Sequence, residues 1–301
     1  KQNYYDKGVK LFWLDEAEPE YAGYNFPLYR YHIGPALQNS NIYPLYYAKA
    51  FYDGMTAAGE DKVINLIRSA WAGSQKYGAL VWSGDVDSSF RGLREQFAAG
   101  LNMGVAGIPW WTTDIGGFLG GYPDDPAFQE CVVRWFQYAT FCPVMRLHGE
   151  RLPHQKPLGT KGGGLFFSGA DNEVWSFGEE NYEILKKYLL LREELRPYIK
   201  SLMQEAHEKG TPVIRTLFFG YPEDEKAWEI EDEYLFGPDV LVAPVMYENM
   251  RKRQVYLPKG DNWKNAHTGE IFGGGITVEC DAPLDVIPVF LRKGGSVDFK
   301  V

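Results

Sequence analysis

Through the first 220 or so positions, hydrophobic residues fall either in short unbroken runs or at helical spacing. The runs at 11–14, 63–67, 79–82, 105–111 and 213–219 are apolar at nearly every position. That is the pattern of parallel strands covered on both faces. Between them Pro44 opens a helix that buries Tyr47, Phe51 and Met55 and stops at Gly59. Ser88 or Ser89 caps a second, with Phe90, Leu93 and Phe97 turned inward. Asp125-Pro126 starts a third, whose stripe is Phe128, Cys131, Val132, Trp135, Phe136 and Ala139. The segment 181–210 repeats Leu185, Tyr188, Leu195, Tyr198, Ile199 and Leu202 at helical spacing, and Pro197 is placed to kink or divide it. Strand alternating with helix predicts an α/β fold built on a parallel sheet.

From about residue 223 the helical period disappears. Short extended pieces at 240–243, 253–257, 276–278 and 286–291 follow turn residues, which predicts a small antiparallel β domain. The expected organisation is therefore a larger α/β unit over 1–222 and a β unit over 223–301, and 301 residues suffice for a core in each.

Composition narrows the function. A formal charge of −9 argues against nucleic acid, whose phosphates require clustered Lys and Arg. No apolar run is long enough to span a bilayer, and the opening residues do not read as a signal peptide. Cys131, Cys142 and Cys280 are odd in number, which fits reduced thiols and slightly favours a cytoplasmic setting. Aromatics make up 16% of the chain, enough for a rich core or for stacking on the apolar faces of sugar rings. His32, His148, His154, His207 and His267 are scattered, so no metal or other cofactor is implied. No GxSxG occurs, which disfavours a serine hydrolase.

Several apolar runs end in a polar group. Leu14 leads to Asp15, Ile67 to Arg68, Trp82 through two small residues to Asp85, and Trp111 through two threonines to Asp114. Any one of these could cap a following helix. Together they resemble a site assembled at the C-terminal ends of parallel strands, as in a β/α barrel. Converging carboxylates with aromatics and no metal ligands suggest glycoside hydrolysis, where one carboxylate attacks or stabilises the sugar carbon and another delivers a proton. Asp15, Glu16, Glu18, Asp85, Asp87 and Asp114 are the candidates. Strand alternation sets Glu16 opposite Trp13 and Asp15, Glu18 is suited to bonding substrate or holding the loop, and Asp87 reads as a cap or surface charge.

These residues carry a family resemblance. Trp13-Leu14-Asp15-Glu16-Ala17-Glu18-Pro19 is similar to the nucleophile motif W-x-D-x-x-E-P of glycoside hydrolase family 31, the α-glucosidases and α-xylosidases. Trp82-Ser83-Gly84-Asp85 resembles its acid/base motif, and Arg68 its substrate-contacting arginine. The stretch Trp110-Trp111-Thr112-Thr113-Asp114, continuing to Phe118, resembles its conserved aspartate with an aromatic platform. Met145-Arg146-Leu147-His148-Gly149 resembles the motif whose histidine touches the sugar. The likeness runs from Phe12 to about Gly295, and residues 236–245 resemble the start of the family's proximal C-terminal β-sandwich.

The resemblance implies the C-terminal part, about five strands, of a (β/α)8 TIM barrel followed by a small antiparallel β-sandwich. It implies Asp15 as nucleophile and Asp85 as acid/base of a retaining enzyme acting on terminal α-linked glucose or xylose. Trp13, Arg68, Trp82, Trp110, Trp111, Asp114, Phe118 and His148 would then hold the substrate. Five strands do not close a barrel, so the expected partners, besides a glycoside or oligosaccharide, are an N-terminal half or another copy of the chain. The contrasting expectation is a carbohydrate-binding or structural fragment without turnover.

Overall fold

The computed structural model describes residues 1–18 and 26–301. The chain enters through strand β1 (Trp13–Leu14), a small hairpin β2 (Arg30–Tyr31) and β3 (Gly34–Pro35), and the one-turn helix α1 (Ala36–Asn39). Helix α2 (Tyr43–Ala57) then leads to β4 (Asn65–Ile67), β5 (Ala79–Trp82), α3 (Phe90–Val105), β6 (Trp111–Thr112) and α4 (Pro126–Thr140). Pro19, which ends the nucleophile motif, lies outside the described residues.

Strands β1, β4, β5 and β6 form one parallel sheet in that order, with Trp13 opposite Leu66, Leu66 opposite Leu80, and Val81 opposite Trp111. Beyond β6 a single parallel bridge joins Asp114 to Arg146 and continues the sheet without a full strand. Leu14, Ile67, Val81 and Trp111 from the sheet and Leu93, Phe97, Val132 and Trp135 from the helices share one buried core. Contact there is close. A Cβ on Gly100 of α3 would sit 2.8 Å from the Trp111 ring.

The helix ends follow the expected chemistry. Ser89 Oγ accepts the Gly92 amide at 3.0 Å at the start of α3, and Asp125 Oδ1 accepts the Ala127 amide at 3.1 Å at the start of α4. The long C-terminal segment divides at Leu195 into α5 (Glu179–Glu194) and α6 (Arg196–Lys209), with Pro197 in the first turn of the second. Before them stands a hairpin of β7 (Arg151–Gln155) and β8 (Ser168–Ala170).

Two apolar runs behave differently from expectation. Residue 105 ends helix α3 and is exposed, and Gly107 (φ 81°) turns the chain, so the strand begins only at Trp111. The run 213–219 is not a parallel strand. Only β9 (Ile214–Arg215) is extended, and the chain then coils into α7 (Leu217–Gly220). β9 pairs antiparallel with β10 (Tyr234–Phe236) in the second sheet. Val213, Ile214 and Leu217 are buried at the seam between the two units, which gives the same unbroken apolar pattern as a doubly covered parallel strand.

The second unit continues with β11 (Val240–Val242), β12 (Lys252–Leu257), β13 (Asn262–Asn265), β14 (Ile271–Gly273), β15 (Ile276–Asp281) and β16 (Val289–Arg292). A six-stranded sheet ordered β14-β13-β16-β11-β10-β9 faces the pair β12-β15. Leu235, Leu241, Val255, Leu257, Trp263 and Phe290 fill the space between them, giving a small antiparallel sandwich. Among the described residues no helix is long and apolar enough to cross a membrane.

Candidate active site

The C-terminal ends of the parallel strands bring the candidate residues together around Arg68. Its side chain is 13% exposed, and its Nη1 lies 3.3 Å from Asp15 Oδ1 and 3.6 Å from Asp85 Oδ2. The two carboxylate oxygens can be no further apart than the sum of those distances. Nη2 of the same guanidinium pairs with Glu18 Oε1, so Glu18 holds Arg68. Gly84 lies in the left-handed region (φ 77°), which glycine adopts without strain, and it turns the chain so that Asp85 comes back toward Arg68. Past β1 the Glu16 amide donates to Asp15 Oδ1 at 2.8 Å, with Glu16 itself at φ 51°. A non-glycine residue in that region carries strain that collects at functional sites. The Asp15 and Asp85 side chains are 56% and 49% exposed, so both open onto the cleft.

An aromatic wall stands beside them. Trp13 meets Trp82 edge-on at 5.4 Å and His148 edge-on at 4.9 Å, and Phe118 stacks on His148 at 5.5 Å. The Arg146 guanidinium lies over Trp13 at 5.6 Å and pairs with Asp114. Burial pushes the Asp114 carboxyl up to about 6 despite the pull of Arg146. It also lowers Arg146, so both partners shift toward their neutral forms and desolvation outweighs their attraction. Burial, then the charges of Arg146 and Arg151, lower the His148 pKa against Asp85, which leaves a neutral imidazole at neutral pH. Ser83 Oγ donates to Thr113 Oγ1 at 2.9 Å and joins the ends of β5 and β6.

Arg68 thus ties Asp15 to Asp85, while Asp114 and His148 feel the charge of Asp85, and Trp13 and Phe118 join the group through His148. Trp82 is buried and backs Trp13. Trp110 is half-buried, with its carbonyl accepting the Val81 amide. Trp111 does not front the cleft, because its ring packs into the core on Gly100 of α3, as strand alternation requires for the outward face of β6. Asp87 is exposed and bridges to Leu119, while Ser89 supplies the cap. Sequence reasoning gave no role to Arg146 or Arg151. Arg146 sits inside a recognised motif, but Arg151 is an isolated arginine with no local signal.

The arrangement can hold a sugar ring between an aromatic wall and two carboxylates that share one cation. Comparison with known proteins shows the family. The model of the glycosyl hydrolases family 31 TIM-barrel domain matches residues 1–202, and that of the glycosyl hydrolase family 31 C-terminal domain matches 210–297. An uncharacterized family 31 glucosidase of Pseudescherichia vulneris is 65% identical over 153 residues, 51% of this chain and 29% of that protein. An alpha-xylosidase of Saccharolobus solfataricus is 38% identical over 298 residues, 97% of this chain and 38% of that protein. Among solved structures, a family 31 alpha-xylosidase from a soil metagenome, complexed with xylose, superposes with a TM-score of 0.95 at 58% identity. That match covers 98% of this chain and 44% of the other. The chain therefore spans less than half the length of these relatives.

Proposed function

The chain belongs to glycosyl hydrolase family 31, and from that premise we propose that it carries the catalytic carboxylates of a retaining α-glycosidase. The observation that carries this reading is the placement of Asp15 and Asp85 on one Arg68 nitrogen in one cleft. In the first step an Asp15 oxygen attacks the anomeric carbon, the glycosidic C–O bond breaks, and the proton on Asp85 passes to the leaving oxygen. In the second, Asp85 takes a proton from water, whose oxygen displaces Asp15 from the same carbon and frees the sugar. Arg68 lies next to both carboxylates, and the reaction requires Asp85 to carry a proton and Asp15 to be free of one when the sugar is bound. Trp13, Phe118 and His148 supply the stacking wall, and the Asp114–Arg146 pair the polar side.

The favoured substrate is a terminal α-xyloside, with an α-glucoside second. The support is the resemblance over nearly the whole chain to two alpha-xylosidases, at 58% and 38% identity, the first bound to xylose. The α-glucoside is kept because a relative 65% identical over half of the chain is named a glucosidase and one at 32% an alpha-glucosidase. The four described parallel strands form an open sheet with β1 at its edge, and the relatives are more than twice as long. The working enzyme in this proposal therefore includes further polypeptide, or a second copy, that completes the barrel.

The test is an assay of p-nitrophenyl α-xyloside and α-glucoside by this chain, alone and joined to the remainder of a family-length enzyme. NMR would identify the first-formed sugar. Turnover by the completed enzyme, with the α-anomer released first and xyloside preferred in kcat/KM, is expected. No turnover in the completed enzyme would leave a binding or structural role, and initial release of the β-anomer would overturn retention.

A further inference from the structure

We propose that Arg151 is a positioning residue of this site, one buried guanidinium that locks the loops carrying Asp114, Phe118 and His148, and the turn after Asp85, into a single frame. The assignment rests on the glycosidase reading for its catalytic consequence, though not for its geometry. Arg151 is the first residue of β7 and is fully buried. Its Nη1 donates to the Gly117 carbonyl at 2.9 Å, to Ser88 Oγ at 3.0 Å and to the Gly120 carbonyl at 3.1 Å. Its Nη2 donates to the Ile115 carbonyl at 3.0 Å and the His148 carbonyl at 3.4 Å, and Nε to Asn172 Oδ1 at 2.7 Å. Every nitrogen of the fork is used.

These acceptors lie at telling places. Ile115 follows Asp114, and Gly117 and Gly120 flank the segment with Phe118. His148 is itself in the aromatic wall, and Ser88 is three residues past Asp85. Among the described residues no carboxylate lies within ion-pair distance of this buried charge, which is uncommon for arginine in a core. Carbonyl and hydroxyl dipoles bear the charge instead. Burial lowers its pKa to about 10, so it stays cationic at neutral pH.

The socket has no slack. A Cβ on Gly149 would come 2.6 Å from the guanidinium carbon, and one on Gly116 would come 3.0 Å from Nη2. The Phe128 ring of α4 closes another side, 4.9 Å from the guanidinium. Lysine offers one point of donation where this socket needs a planar fork. Loops that must hold sugar-contacting groups tolerate little displacement, since a misplacement of about 1 Å can cost about 100-fold in rate.

Arg134 provides an internal control. It too is fully buried and donates to backbone carbonyls, those of Met250, Ala282 and Val286, but these lie in the second unit and away from the cleft. The charged groups facing His148 are Arg146 and Arg151 on its own segment and Asp85 from the end of β5, with Asp114 engaged by Arg146.

The experiment compares Arg151→Met, Arg151→Lys and Arg134→Met. The His148 imidazole is titrated by NMR in the folded chain, and kcat and KM are measured in the completed enzyme. Arg151→Met should raise the His148 pKa by about half a unit or more, and Arg151→Lys, which keeps the charge, should raise it less. Arg151→Met should lower kcat about 100-fold with KM changed far less, and Arg151→Lys about 10-fold. Arg134→Met should lower stability while leaving kcat and the His148 titration as in the wild type. Should Arg151→Met fail to fold, Gly149→Ala, which displaces the fork and keeps the charge, should reproduce the kcat loss. An unaltered His148 titration with wild-type kcat in Arg151→Met, or an equal kcat loss in Arg134→Met, overturns the assignment. A completed wild-type enzyme inert on both glycosides would remove the glycosidase reading, while the His148 titration would still decide whether Arg151 sets the electrostatics of this site.

Discussion

Asp15 and Asp85 lean on the same guanidinium nitrogen, yet the proposed reaction asks one to attack and the other to give up a proton. That division predicts how Asp85→Ala behaves. Substrates with a poor leaving group should lose about 100- to 10,000-fold in kcat, whereas an α-glycosyl fluoride, whose leaving group needs little protonation, should lose far less. Equal loss on both in steady-state assays would contradict the assignment. A second titrating residue lies in the β unit. Glu233 is buried, Oε1 accepts the Tyr256 amide at 2.8 Å, and Oε2 has no hydrogen-bond partner among the described residues. Burial, outweighing the pull of Arg253, raises its pKa from 4.5 to about 8. Between those values the native state keeps a proton that the unfolded chain has released. Stability therefore falls as pH rises through the window, and the loss is complete above it. Glu233→Gln should flatten that slope and gain up to a few kcal/mol at pH 9 relative to the parent, with little change at pH 4. Urea melts at the two pH values would show it, and an unchanged slope would refute it.

Helices were more legible in the sequence than strands, for a physical reason. Ser89, Asp125 and Pro197 act locally, through a cap bond or a missing donor, so their positions fix helix ends without knowledge of the fold. The parallel strands are only two to four residues long, and an apolar run of that length reads the same in a sheet, a helix end or a domain seam. Hence residues 105–110 and 213–219 were misplaced, and β10, β13 and β14 gave no signal. The candidates Asp15, Arg68 and Asp85 could be singled out as a converging group, because each stands just past a strand of one sheet. Trp111 was misjudged because sequence alone does not show which face of a two-residue strand looks inward. Its packing on α3 yields its own prediction: Gly100→Ala would drive a methyl into the indole at 2.8 Å and should cost about 1–3 kcal/mol. Thermal or urea unfolding would measure this, and a stability equal to the parent would disprove the contact.

At the level of the whole molecule the two units are joined by groups that satisfy each other's backbone. Arg134 of α4 holds carbonyls at 250, 282 and 286, Arg94 of α3 holds the Met246 carbonyl at 2.9 Å, and the Tyr188 hydroxyl of α5 donates to the Asp285 carbonyl at 3.0 Å. The sandwich therefore braces helices α3, α4 and α5. The central claim concerns one bond in the cleft, between Asp15 and a sugar. The direct measurement is to incubate the completed enzyme with a 5-fluoro-α-xylosyl fluoride, which slows release of any covalent intermediate, and to map the labelled peptide by mass spectrometry. The account predicts one pentosyl adduct on Asp15. An adduct on Asp85, Asp114 or Glu18, or none under conditions where the enzyme turns over, would contradict it.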